Sequence, residues 1–235
     1  MVFWIILFLL IIGISFILAY RSMKDYSEIP KTSKVEYGLF LIRQTENFTT
    51  STLNSIGEYM LEAGLIISIE RLFKGTQAAL TIYGPKNILD KFTSVLNLLE
   101  LEDYTSRLIS QDVTVWEIGT KDKKGYLGGP NDVFSNLSQL GQEDQFFWQM
   151  VLGPKKVKSN ISFQTQIRAV VYSKDPEKKK ILVSLLQELS SGELKRIPKP
   201  FSTEQMMDFF KLRSLSKDSN GPILNSEQVL SLLKV

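Results

Sequence analysis

Between Val2 and Tyr20 the chain reads VFWIILFLLIIGISFILAY, apolar throughout and without one charged residue. At 1.5 Å per residue, an uncharged run of this length matches the roughly 30 Å hydrocarbon core of a bilayer. It predicts a transmembrane helix over residues 1–20, which would hold everything after it at a membrane surface. A cleaved signal peptide would carry basic residues ahead of the apolar run and a small-x-small site behind it. Here no Lys or Arg precedes the run, and its exit reads Leu18-Ala19-Tyr20-Arg21. The expected anchor residues are Val2, Trp4, Tyr20, Arg21 and Lys24, with the two aromatics at the interfaces. Arg21 and Lys24, followed by Lys31 and Lys34, put the positive charge on the C-terminal side. The expectation is a single-pass protein of the inner (cytoplasmic) membrane, N-terminus outside and C-terminal domain cytoplasmic.

The rest, roughly 200 residues, is enough for one sizeable domain or two small ones. The chain has no Cys and no His. That removes disulfides, thiolate nucleophiles, Cys-based zinc and iron–sulfur sites, Ser-His-Asp and Cys-His catalysis and imidazole acid–base chemistry. No GxxxxGK[ST] or GxGxxG segment is present, which argues against a nucleotide-driven motor in this chain. No cofactor and no catalytic residue is expected. The net charge of +3 permits contact with phosphates without requiring it.

Residues 21–34 read as a juxtamembrane linker. Val35 to Arg43 is a strand; Thr49 to Ala63 carries Leu53, Ile56 and Met60 at helical spacing and stops at Gly64. Leu65 to Phe73 and Gln77 to Tyr83 read as a hairpin turning at Lys74-Gly75-Thr76. Asn87 to Leu99 reads as a second amphipathic helix, and Val113 to Ile118 as a strand. The order β-α-β-β-α-β is the split βαβ, or ferredoxin-like, arrangement over residues 35–120. A second, less complete α+β unit spans 121–200. It has a Gly- and Lys-rich loop at Lys121 to Pro130, a short helix at Asn131 to Leu140, and strands at Phe146 to Leu152 and Ile161 to Tyr172. Gly153 to Lys156 would be the turn between those strands, and Asp175 to Leu189 a helix. A C-terminal segment, 201–235, opens with a helix at Thr203 to Leu212. The fold class expected is α+β: one N-terminal transmembrane helix, then tandem ferredoxin-like units.

Glu100, Glu102 and Asp103 sit together after a helix, and the plainer reading is a solvated helix end. Lys155, Lys156 and Lys158 are the candidate weak anionic contact, for DNA or acidic lipid, and direct nucleic-acid contact stays open. Phe146 and Trp148 share one face of their strand and Phe147 takes the other, a pattern of core packing more than of a base-stacking platform.

Four stretches carry a resemblance: Tyr37 to Met60; Ile66 to Pro85 (IISIERLFKGTQAALTIYGP); Leu140 to Pro154 (LGQEDQFFWQMVLGP), with Glu143, Trp148, Gln149 and Pro154; and Ile223 to Leu233 (ILNSEQVLSLL). Together they resemble the membrane-anchored N-terminal α+β region of type IV secretion and conjugation-associated (HerA/VirB4-like) proteins of candidate-phyla (Patescibacteria-type) bacteria. In that family a P-loop ATPase often follows. This sequence departs where Lys234 stands in place of a usual His, and it stops at Val235, short of the stretch where the family's ATPase is expected. The resemblance implies a non-enzymatic docking or assembly component that positions a separately encoded P-loop ATPase. The alternatives are a structural subunit of another membrane complex and a membrane-tethered enzyme with a His- and Cys-free site. A homo-oligomer is compatible with each. The expected partner-binding residues are Ile223, Leu224, Val229, Leu232 and Leu233, which arrive with little chain left to cover them.

Overall fold

The computed structural model describes residues 4, 8, 10–17, 26–27, 35–109, 112–120, 134, 137, 140–189, 194–197, 201–216 and 221–233. Its first half begins with a two-residue strand, β1 (Tyr26–Ser27), and then β2 (Tyr37–Leu41), α1 (Thr50–Ala63), β3 (Ile67–Lys74) and β4 (Gln77–Pro85). The short helices α2 (Lys86–Leu89) and α3 (Thr93–Leu96) and the strand β5 (Leu99–Leu101) complete it. Then come β6 (Val113–Thr120), β7 (Gln145–Val157), β8 (Asn160–Tyr172), α4 (Pro176–Leu189) and β9 (Leu194–Ile197). The C-terminal segment holds α5 (Thr203–Lys211), β10 (Leu215–Ser216), β11 (Ile223–Leu224) and α6 (Ser226–Leu233).

Local chemistry sets the element ends. Thr49 accepts the Thr52 amide at the start of α1, and Gly64, at φ 66°, closes it in the left-handed conformation that suits glycine. Gly75, at φ 54°, turns β3 into β4. Asp175 caps α4 by accepting the Glu177 and Lys178 amides. Ser202 and Gln205 form a full capping box on α5. The helix expected over Asn87 to Leu99 is broken instead, because Asn97 at φ 48° ends it and frees Leu99 to start β5. Its buried face is Ile88, Phe92 and Leu96, leaving Val95 and Leu99 exposed.

All pairings in the main sheet are antiparallel, in the order β5-β2-β4-β3-β7-β8-β6-β9, with β11 added to β8. Within each half the first strand lies between the third and the fourth. The halves join where β3 and β7 pair from Ile67↔Leu152 to Lys74↔Gln145. Strand β6, expected as the last strand of the first unit, pairs with β8 and β9 and so begins the second half. Strands β7 and β8 run through the expected Gly153–Lys156 turn; the reversal comes at Lys158, φ 57°, and Ser159.

The expected fold class is therefore corrected. In place of a membrane helix followed by two separate units there is one mixed α+β body on a continuous nine-stranded antiparallel sheet. The membrane-spanning expectation is corrected with it, since no helix among the described residues is long and apolar enough to cross a membrane. The longest, α1 and α4, have 14 residues each, about 21 Å of rise, and each is amphipathic. In the apolar run the longest continuous described helix is residues 10–17, about 12 Å. Trp4 is helical and exposed, while Val2, Tyr20, Arg21 and Lys24 lie outside the described residues. The single-pass, inner-membrane placement has no spanning helix to rest on among the described residues. The loop at Lys121 to Pro130 also lies outside them, as does the helix at Asn131 to Leu140 apart from residues 134, 137 and 140.

Two apolar layers flank the sheet. On one face the side chains of alternate strand positions, among them Ile69, Ile82, Trp148, Met150, Ile167 and Ile118, pack under α1, α4 and α6. On the other face Val115, Phe147 and Val170 meet Met206, Met207 and Phe210 of α5. The C-terminal segment crosses between the faces: α5 lies on the second, and α6 returns to the first beside α1.

Candidate functional site

On the face that meets α5, each central strand buries a charged or amide side chain at the same level: Glu70 in β3, Gln149 in β7, Arg168 in β8 and Glu117 in β6, with Ser68, Gln164 and Gln166 as further buried polar side chains on that face. Register places the first four in a single transverse row, Thr81↔Glu70↔Gln149↔Arg168↔Glu117. Glu70, Thr81, Gln149 and Arg168 have no exposed surface, and Glu117 is 5 % exposed. Burial of this much polarity is tolerable only when the groups satisfy one another.

Arg168 Nη1 donates to Gln149 Oε1 at 3.1 Å and Gln166 Nε2 to Glu117 Oε2 at 2.8 Å, while Glu70 is met by one further residue, Arg213, itself 1 % exposed. Its Nε donates to Glu70 Oε1 at 2.9 Å and its Nη2 reaches Glu70 Oε2 at 3.5 Å. The Nη1 and Nη2 groups donate to Asp103 Oδ2 and Oδ1 at 2.8 and 3.1 Å. The guanidinium also lies 3.9 Å from the centre of the Tyr83 ring. Glu70 takes further bonds from Ser68 Oγ (2.9 Å), Gln149 Nε2 (3.0 Å) and the Tyr104 hydroxyl (2.9 Å). Arg213 sits at φ 51°, a conformation that non-glycine residues seldom adopt, held there by these bonds.

The row also captures the backbone that covers it. Gln149 Nε2 donates to the Phe210 carbonyl at 3.0 Å, Arg213 Nη1 to the Lys211 carbonyl at 3.1 Å, and Arg168 Nη2 to the Ser214 carbonyl at 2.6 Å. Carbonyls at a helix C-terminus lack intrahelical partners and carry partial negative charge. Here Gln149 and Arg168 of the sheet and Arg213 of the turn supply side-chain donors, beside the Arg213 amide that already meets the Phe210 carbonyl at 3.1 Å.

The electrostatics follow. Burial works against ionising Asp103, but the hydrogen bonds and charge of Arg213, with help from Thr105, outweigh it and hold the carboxyl below the usual aspartate range. Burial likewise opposes the Arg213 charge, and Glu70 and Asp103 more than restore it. Burial and the adjacent Glu70 carboxylate push the Tyr104 phenol well up. A carboxylate held this firmly ionised is a poor proton donor at neutral pH, and the guanidinium occupies the place between Glu70 and Asp103 that a cation would need. The chemistry of the network is cohesion: it clamps α5 and the turn after it onto the sheet.

The sequence candidates are placed elsewhere. Lys155, Lys156 and Lys158 are exposed at the tip of the β7–β8 hairpin, well along the strands from the polar row. Leu224, Val229, Leu232 and Leu233 are fully buried in the main core, and only Ile223, 47 % exposed, faces outward. The surface expected of them is thus covered by the chain's own α1 and sheet. Of the acidic trio, Glu100 pairs with Lys86 at 2.7 Å and Glu102 with Arg107. Asp103 caps the turn at Tyr104–Arg107 and joins the buried network, which corrects the reading of a solvated helix end. Glu70, Gln149, Arg168 and Arg213 were not anticipated as a cluster. The available signal was a Glu, Gln or Arg set among mostly apolar neighbours within each strand.

The scan against protein-family models finds none that matches this chain, and no curated protein matches it.

Proposed function

We propose that this protein is a non-enzymatic docking and assembly module whose contacts are made by the ends of its sheet. The observation that carries the reading is that the sheet stops at β5 on one side and β9 on the other. Among the described residues no strand pairs with the outer side of either. An open edge presents backbone donors and acceptors to an incoming strand, the basis of recognition by strand addition. The interior supports this use, because the clamp around Arg213 and the β3–β7 pairing tie both ends into one rigid sheet. Following the resemblance set out above, the partner is a P-loop ATPase encoded separately.

The test is co-expression of the full chain with the P-loop ATPase encoded nearest to it, followed by co-purification. The wild type is compared with E100P and with R196P, which remove the outward-facing amides of the two edges, since Leu99 and Leu101 pair inward with β2 and Lys195 and Ile197 with β6. Stable co-purification, lost in one edge variant whose circular dichroism is unchanged, is the expected result. Failure of the wild type to bind, or binding untouched by both variants, overturns the reading.

A further inference from the structure

We infer that one occupant of these edges is a second copy of this chain, added head to tail with β9 of one copy against β5 of the next. The inference rests on the docking reading for its use of the edges, and on three independent features for its choice of occupant.

The first feature is direction. Every pairing is antiparallel, and the path from β5 to β9 runs through eight strands. The two edge strands therefore run in opposite directions. A copy displaced within the plane of the sheet brings its β9 antiparallel to β5, with the helix-covered faces on the same side.

The second is charge. Phe40 faces the helix layer and lies opposite Glu100, so Glu100 takes that face too. Ile118 faces the same layer and lies opposite Arg196, whose guanidinium rests 4.5 Å from the Trp116 ring. Both are exposed, the Glu100 side chain by 54 %. One edge thus offers a net acid, since the single Lys86 is shared between Glu36 and Glu100, and the other a base on the same face. Two β5 edges would oppose Glu100 to Glu100, and two β9 edges would crowd Lys195 and Arg196 together, both unfavourable. Charged edges that repel their own kind still accept each other.

The third is the match of the remaining positions. With Glu100 opposite Arg196 in an antiparallel pair, Leu99 falls opposite Ile197 and Leu101 opposite Lys195, all on the other face. Leu99 is 48 % exposed and Ile197 partly so, and their contact would cover both. Because the contact uses two different edges, it does not close on itself as a two-fold dimer would and can add further copies.

The experiment is sedimentation equilibrium of the full chain as wild type, E100R, R196E, the two single variants mixed, and E100R/R196E. The wild type should show an average mass that rises with concentration. Each single variant should associate about tenfold more weakly, the ratio given by turning one favourable charge pair into a repulsive one. Mixing the singles should restore association, because Arg196 of one then meets Glu100 of the other, and the double variant should associate by itself. A monomeric wild type overturns the inference, as does self-association indifferent to both substitutions. Singles that fail to rescue each other also overturn it. Loss of self-association with ATPase binding intact removes this inference alone; the converse removes the ATPase reading and leaves the second copy standing.

Discussion

Arg213→Ala tests the clamp most directly. The guanidinium makes five hydrogen bonds, two to Glu70, two to Asp103 and one to the Lys211 carbonyl. Its removal leaves the Glu70 carboxylate at zero exposure with only neutral donors. Stranding one member of a buried ion pair costs about 3–5 kcal/mol, a large share of the roughly 5–15 kcal/mol that stabilises a typical domain. With a urea slope of about 2–3 kcal/mol/M for a body of this size, the midpoint should fall by about 1–2 M. Equilibrium unfolding followed by tryptophan fluorescence reads this through Trp116 and Trp148, both in the main core. Adding Glu70→Gln to Arg213→Ala removes the stranded charge, so the double variant should be less destabilised than the two single effects summed, by about 1–3 kcal/mol. A midpoint for Arg213→Ala within about 0.3 M of wild type, or strict additivity, would refute the claim that this arginine neutralises Glu70 in the interior.

Deleting the chain from Gly221 onward removes Leu224, Val229, Leu232 and Leu233, each fully buried. At about 1.5–3 kcal/mol apiece the loss rivals the whole stability of a domain, so the truncated protein should show no cooperative thermal transition. Asp103 has a lowered carboxyl pKa in the fold, so it contributes stability above the ordinary aspartate value near 4, and that contribution disappears as pH falls through the folded value. The melting temperature of the wild type should therefore drop more steeply below about pH 4 than that of Asp103→Asn. Burial, with the nearby Tyr83, pushes the Tyr37 phenol up to about 12, and Tyr104 is raised well above the usual value. Both favour the neutral phenol in the fold, so their contribution is complete below about pH 10 and fades as pH rises toward the folded values. An ultraviolet titration should find tyrosines that ionise only as the protein unfolds.

How much of this was legible in the sequence depended on how local the deciding interaction is. Helix α1 could be read because its buried stripe, its Thr49 cap and its Gly64 stop lie within one short segment. The β3–β4 hairpin could be read for the same reason. Strand β5 could not, since Leu99-Glu100-Leu101 is too short for a period and carries a charge at its centre; its existence depends on Asn97 ending the helix early and on β2 alongside. Without β5 the first unit lacked a fourth strand, and β6 was given that place. The buried network was more remote still. Glu70 and Arg213 are 143 positions apart, and Asp103 and Arg213 are 110 apart. What the sequence did show was a Glu, Gln or Arg inside each strand, in β8 beside Gln164 and Gln166, a pattern that implies a polar row once the register is known.

That row also bears on why the clamp is polar at all, since an isolated buried ion pair can often be exchanged for apolar side chains of similar volume at little cost. The exchange is unfavourable here because the row is tied to backbone. Replacing Gln149 by Leu and Arg168 by Met would leave the Phe210 and Ser214 carbonyls without their side-chain donors. The Phe210 carbonyl keeps the Arg213 amide at 3.1 Å, whereas the buried Ser214 carbonyl loses its donor at a cost of about 1–3 kcal/mol, so the double substitution should destabilise by about that much even if the volume is filled well. The damage should also be local. Amides from Arg213 to Ser216 should lose protection from hydrogen exchange, whereas those of the β7–β8 ladder, held by their own pairing, should keep it. Equal loss across both regions would mean that the row supports the sheet itself and not the segment laid over it. Unchanged protection at Arg213 to Ser216 would mean that apolar packing of Phe210 and Leu215 positions the segment without the sheet's polar groups.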